Sequence, residues 1–177
     1  MKTLKFTGIV LTAIALVFII IGFIAPKKFS MERSIIINSS PEEVYQNMCD
    51  LRKFHDWSPW SKLDPNSRVS YQGEPNTVGH IYKWEGNRQV GKGEMSISKI
   101  EDGTAIYYHL NFIEPFASQA DGLLKAENSN GATKATWTFT TKFGFIESVF
   151  MMFMNMEKML GSDFENGLKN LKHISEK

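Results

Sequence analysis

Cysteine occurs once, at Cys49, in a chain of 177 residues, so no disulfide can close within it. A lone thiol of this kind reads as a small buried residue on a helix. An excess of charge is also missing. Twenty Lys and Arg stand against 19 Asp and Glu. That balance removes the basic footprint of a nucleic-acid binder, and no acidic tail is present. The four histidines, His55, His80, His109 and His173, are scattered. None pairs at i,i+4 and none neighbours the cysteine, so no metal site and no cofactor are expected. No nucleophile elbow, internal repeat or low-complexity tract is visible.

A phosphate-binding loop is nearly present. Gly86, four residues, then Gly91-Lys92 reproduce its opening. Gly93 stands where Ser or Thr should hold magnesium, and Glu94 adds negative charge. The following MSISKI alternates as a strand does, whereas a phosphate loop must lead into a helix N-terminus. Gly86-Asn87 is a turn signal, so a hairpin with a close backbone approach is expected here, and no nucleotide.

Long uncharged runs, by contrast, are present. Phe6 to Ala25, FTGIVLTAIALVFIIIGFIA, is 20 residues without a charge, the length that crosses a bilayer as a helix. It lacks the short apolar stretch and small-residue cleavage site of a signal peptide. An uncleaved single-pass membrane anchor over residues 6–25 is therefore expected, within an N-terminal segment 1–28. Lys2 and Lys5 on one flank nearly balance Lys27, Lys28 and Arg33 on the other. The positive-inside rule gives only a weak bias, towards an extracytoplasmic domain.

Residues 26–31 read as a linker, and residues 29–177 as one domain large enough for its own core. RSIIIN, Arg33–Asn38, is a β-branched run that predicts a strand. Ser40 then offers an N-cap, Pro41 the first helical position, and Glu42 and Glu43 suit the helix dipole. Val44, Met48 and Leu51 give that helix an apolar side. FHDWSPW predicts a second short helix or turn. From Arg68 to Phe143 six strand-like segments, separated by Gly, Asn or Pro turns, leave no room for crossover helices, which predicts antiparallel hairpins. Apolar residues then recur every three or four positions from Ile146 to Ile174, predicting one long helix with a possible kink at Gly161. The order predicts an α+β fold: a curved antiparallel sheet covered by a C-terminal helix.

ERSIIINSSPEEVYQNMCDLRKFHDWSPW resembles the opening of the START-like, or Bet v 1-like, superfamily in its polyketide cyclase/dehydrase-type branch. YQGEPNTVGHIYKWEGNRQVGKGEMSISKI, IYYHLNFIEPF, ATKATWTF and LGSDFENGLKNLKHI continue the pattern in order, from about Glu32 to His173. The resemblance implies a helix-grip fold around an internal hydrophobic cavity. Members bind lipids, sterols, polyketides and other apolar molecules, and a few are enzymes.

Strand alternation places Tyr82 with Trp84, and Trp137 with Phe139, on faces opposite polar neighbours. With Trp57 and Trp60 of the SPW segment, and Phe153 and Met156 of the Met-rich VFMMFMNMEKML, these are the candidate ligand-binding residues. Ordinary core packing would use the same residue types. His109 and Asp121, on adjacent strands, are the candidate acid–base groups if there is catalysis. The expectation is a membrane-tethered domain that binds a hydrophobic small molecule or lipid in an internal cavity. The alternatives are a cyclase or dehydratase-like enzyme and a protein-interaction or sensor domain.

Overall fold

The computed structural model describes residues 2–177, with side chains from residue 6 onward. The side chains of Lys2 and Lys5, the basic residues that precede the apolar run, lie outside the described ones. The chain divides into two compact units. One comprises Ser30–Thr141 with Glu157–Lys177, the other Met1–Phe29 with Lys142–Met156.

The larger unit is built on a seven-stranded antiparallel sheet. Its strands are β1 (Lys28–Ile37), β2 (Arg68–Gln72), β3 (Ile81–Glu85), β4 (Lys92–Glu101), β5 (Ala105–Glu114), β6 (Ser118–Ser129) and β7 (Ala132–Lys142). They lie in the order β1-β7-β6-β5-β4-β3-β2. The six hairpin strands fall where the turn signals place them. The first strand begins five residues before the expected Arg33, so only part of the 26–31 linker is irregular. Lys28 and Ser30 disguise its start, because their outward positions carry polar residues while Met31 and Ile37 are buried.

Between β1 and β2 lie α2 (Pro41–Cys49), α3 (Leu51–Trp57) and a 3-10 turn, Pro59–Lys62. The label α1 belongs to Lys2–Ile24 in the smaller unit. Ser40 Oγ accepts a hydrogen bond from the Glu43 amide at 3.2 Å, as the N-cap reading requires. Leu51 is not on the first of these helices. Asp50 interrupts them, and its Oδ1 caps α3 by accepting from the Arg52 amide at 2.9 Å. Cys49 is buried at the end of α2, and burial pushes its thiol up to about 11.

The Gly86–Gly91 segment is a hairpin loop between β3 and β4. The Gly86 amide donates to the Gly91 carbonyl at 2.9 Å, and Asn87 Oδ1 accepts from the Gln89 and Val90 amides. Gly91 has φ +68°, which disfavours any side chain there. Lys92 is paired with Glu85 at 3.1 Å.

The C-terminal helix is shorter than the expected Ile146–Ile174. The apolar period spans two helices, α4 (Phe145–Met151) and α5 (Met156–Ser175). Asn155 stands just before α5, where its residue type favours capping over helix interior. Period counting registers the methionines on either side and passes over this stop. Gly161, the expected kink, lies within an uninterrupted α5 and leaves room for the Arg33 guanidinium. Arg33 pairs there with Glu157 and Glu165.

α5 covers the inner face of the sheet. The Phe164 ring lies 4.1 Å from Trp137 and 6.0 Å from Phe139. Asn170 donates to the Trp57 carbonyl at 3.0 Å and Asn47 to Ser175 at 3.0 Å, tying α2, α3 and α5 together. In the smaller unit, α1 packs on α4. Residues Phe6–Ile24 are long and apolar enough to cross a membrane, and almost none of them is buried.

Candidate ligand-binding site

Alternation along each strand sorts the side chains of the larger unit. Tyr71 (β2), Tyr82 and Trp84 (β3), Met95 and Ile97 (β4), Ile106 to Phe112 at every second position (β5), Leu124 (β6), and Trp137 with Phe139 (β7) share the inner face. This follows from their register and ring contacts. A chain of aromatic contacts crosses that face. Phe112 meets Trp84 at 5.9 Å, Trp84 stacks on Tyr82 at 5.6 Å, and Tyr82 meets Phe54 of α3 at 6.2 Å. Phe54 meets Trp137 at 5.9 Å, and Trp57 and Trp60 meet Trp137 at 5.2 and 5.8 Å. Edge-on geometry dominates, as the ring quadrupoles favour.

Three of these rings require glycine beneath them. The Tyr108 ring lies over Gly122, its cross-strand partner. A Cβ at Gly167 of α5 would stand 2.6 Å from Trp137, and one at Gly93 would stand 2.6 Å from Trp84. The glycines let α5 and the neighbouring strands close onto flat aromatic surfaces.

Polar tips of the rings are mostly satisfied. Trp137 Nε1 donates to Tyr108 Oη at 2.5 Å, Trp57 Nε1 to the Asn47 carbonyl at 3.1 Å, and Trp60 Nε1 to Asp163 Oδ2 at 3.2 Å. Tyr82 Oη lies 3.1 Å from His55 Nδ1. Burial pushes the phenols of Tyr71, Tyr82 and Tyr108 upward, so all three are neutral at pH 7.

Burial is uneven along the inner face. Trp57, Trp137, Tyr108 and Ile106 are fully enclosed. Towards the β3–β4 and β5–β6 turns, Trp84, Leu110 and Phe112 are only half-buried, as is Leu160 of α5. The apolar face therefore continues beyond what α5 and α3 cover within this unit.

The sequence-derived candidates separate accordingly. Trp57, Trp60, Tyr82, Trp84, Trp137 and Phe139 are gathered in one aromatic system. Phe153 and Met156 belong to the smaller unit, with Phe153 in the turn after α4 and 76% exposed. His109 and Asp121 are register partners and hydrogen-bond through Nδ1 and Oδ1, with side chains 64% and 62% exposed. They stand on the outer face, opposite Tyr108 and Ala120. Phe54, His55, Tyr108 and Phe164 join the inner system without having been singled out. Phe54 and His55 sit in a segment too short to show a helical phase, and Phe164 sits on a helix that begins ten residues after the apolar period does. Tyr108 is flanked by Tyr107 and His109, so alternation alone does not set which way it points. Among the described residues, no group of three or more His, Cys, Asp or Glu is placed to hold a metal.

Among solved structures, the fold is similar to protein CV1439 from Chromobacterium violaceum, at 12% identity and TM-score 0.60, covering 84% of this chain and 97% of that one. It is similar to the ginseng major latex-like protein 151 from Panax ginseng, at 10% identity and TM-score 0.57, covering 85% and 99%. It is also similar to the di-domain ARO/CYC BexL from the BE-7585A biosynthetic pathway, at 14% identity and TM-score 0.58, covering 85% of this chain and 50% of that one. At these identities the likeness concerns the fold. No curated protein matches the sequence. A family model described as polyketide cyclase / dehydrase and lipid transport matches residues 28–176, the stretch that forms the grip, and the chain belongs to that family.

Proposed function

We propose that this protein binds a hydrophobic small molecule or lipid against the inner face of its sheet, and that residues 1–28 hold the domain, residues 29–177, at a membrane. One observation carries the binding reading: the apolar inner face runs past its own cover, leaving Trp84, Leu110 and Phe112 half-buried at one end. An apolar ligand laid there completes the burial, at about 25 cal/mol per Å² before the costs of association. The filled end, around Trp57 and Trp137, acts as the floor. Phe139 and Tyr82 lie between floor and opening.

The chemistry of the wall favours holding over turnover. The ionisable groups that β2, β3 and β5 turn to the inner face are neutral tyrosines, which donate hydrogen bonds and orient a polar end of a ligand, while Arg33 of β1 is held in ion pairs with Glu157 and Glu165 of α5. The acid–base pair His109–Asp121 faces away. The anchor reading is supported by the exposure of Phe6–Ile24, since an apolar helix left uncovered by protein suits lipid better than water.

Native mass spectrometry of the full chain released from detergent tests the binding reading. The expected result is a retained apolar mass, extractable by solvent, that is lost in Trp84→Ala and Phe112→Ala variants with unchanged circular dichroism. A folded chain that carries no such mass and takes up none from an offered mixture of fatty acids, sterols and phospholipids would overturn it.

A further inference from the structure

We infer that α4 and the turn after it, residues 145–154, form a second membrane-contacting element that lies in the bilayer interface beside α1. The inference rests on the anchor reading above and adds a surface to it. Ring contacts and the Lys27 side chain hold α4 beside the last turn of α1. The Phe145 ring lies over Gly22, and its centroid is 5.5 Å from that of Phe23. Lys27 Nζ donates to the Gly22 carbonyl at 2.5 Å and to Ser148 Oγ at 2.7 Å, and sits 4.8 Å above the Phe145 ring. The Phe143 amide donates to the Lys27 carbonyl at 2.9 Å. These contacts bury Ser148 and Val149 and leave the remaining side unpartnered.

That side is apolar to an extent a water-facing helix does not need. Ile146, Phe150, Met152, Phe153 and Met154 are exposed, Phe150 at 60% and Phe153 at 76%. From Phe143 to Met156 the chain has no Lys or Arg. Its single charge, Glu147, is turned back to accept from the Gly144 amide at 2.9 Å. The 19 residues of the apolar span cover about 28 Å at 1.5 Å per residue, close to the thickness of a hydrocarbon core. Its last turn then stands at the interface, and the element clamped to that turn stands there with it. Phenylalanine and methionine at this depth exchange water for acyl chains. Because residues 143–156 carry no basic side chain, the partner of this surface is the apolar part of the lipid.

Depth-dependent quenching of the full chain in phosphatidylcholine vesicles tests this. Cys49 is replaced by Ala, and single cysteines are introduced as Leu16→Cys in α1, Phe153→Cys beside α4, and Gln89→Cys in the exposed β3–β4 loop. Each carries bimane. The expected result is quenching of the Leu16 site by lipid with a deep nitroxide and of the Phe153 site by lipid with a shallow one. Aqueous iodide should quench the Phe153 site roughly fivefold less than the Gln89 site, as an interfacial position requires. If Leu16 is quenched from lipid while Phe153 is as open to iodide as Gln89, the anchor stands and the inference fails. If Leu16 is also open to iodide, the anchor fails and the inference falls with it.

Discussion

The hydroxyl end of the Tyr108 ring lies over Gly122, the residue directly opposite it on the next strand, and its hydroxyl accepts from Trp137 Nε1. The glycine is thus a spatial requirement of the ring and the ring a requirement of the tryptophan. Gly122→Ala should destabilise by about 1–3 kcal/mol, since the added carbon overlaps a fully buried ring that has nowhere to go. Gly161→Ala is the contrast. There the new carbon meets only the far end of Arg33, whose ion pairs are reached and weakened by water, while a helix interior gains up to about 1 kcal/mol from the exchange. Urea unfolding of the two variants should show a clear loss for the first and a change of either sign of no more than about 1 kcal/mol for the second.

The Trp137–Tyr108 hydrogen bond should reveal itself as a coupling. Tyr108→Phe strands a buried indole N–H, and Trp137→Phe strands a buried hydroxyl. Each should cost about 1–3 kcal/mol, in addition to the packing lost with the larger ring. The double variant should cost about 1 kcal/mol less than the sum, because neither polar group then remains to be left unpaired. Strict additivity in a denaturant cycle would show that the bond contributes nothing.

His80 sets a pH dependence near neutrality. Its ring is buried, Nδ1 has no protein partner, and burial lowers its pKa, with Asp50 opposing and Arg52 adding to the shift. The Tyr71 ring is 6.3 Å away. A histidine with a depressed folded pKa binds fewer protons folded than unfolded. Stability is then full above the unfolded value of about 6.5 and falls as the pH drops from there towards the folded value. His80→Phe should flatten this part of the stability profile, as followed by thermal melts at successive pH values. A slope identical to that of the parent chain would assign the effect elsewhere.

Asp50 should act further into acid. The Arg52 side chain holds its carboxyl below the ordinary range, with burial opposing. A depressed carboxyl contributes stability above its unfolded pKa of about 3.9 and loses it as the pH falls through the folded value. Asp50→Asn keeps an oxygen to cap α3 but removes the charge. Its stability should be lower than the parent's at pH 6, with the difference closing below about pH 4.

Much of this fold can be read from spacing. Turn residues such as Gly86-Asn87 and Asn130-Gly131 mark the hairpins, and Ser40-Pro41 marks a helix start, because caps and turns depend on local backbone chemistry. The break at Met152–Asn155 is not legible in this way. Both flanking helices keep the same apolar period, one facing α1 and the other facing the sheet, and a period carries no information about what lies across from it. The aromatic system was legible in part for a similar reason. Tyr82, Trp84, Trp137 and Phe139 announce their face by alternating with polar neighbours. Tyr108 has tyrosine on one side and histidine on the other, so only the cross-strand partner Gly122 reveals that it points inward. His109 and Asp121 look like a chemical pair from sequence and do form one, on the side of the sheet away from the aromatic wall.

The strand order has a consequence for synthesis. β2 to β7 are a continuous meander, each of β3 to β7 pairing with the strand before it, whereas β1 pairs with β7. The first strand of the grip to leave the ribosome must wait for the last. At about 5–20 residues per second the intervening chain takes several seconds or more to emerge, during which β1 holds Met31 and Ile37 without their final cover. The polar Lys28, Ser30, Glu32 and Arg33 then serve as guards against premature pairing of a waiting edge. The domain closes in a single late step, when its newest strand reaches back to its oldest.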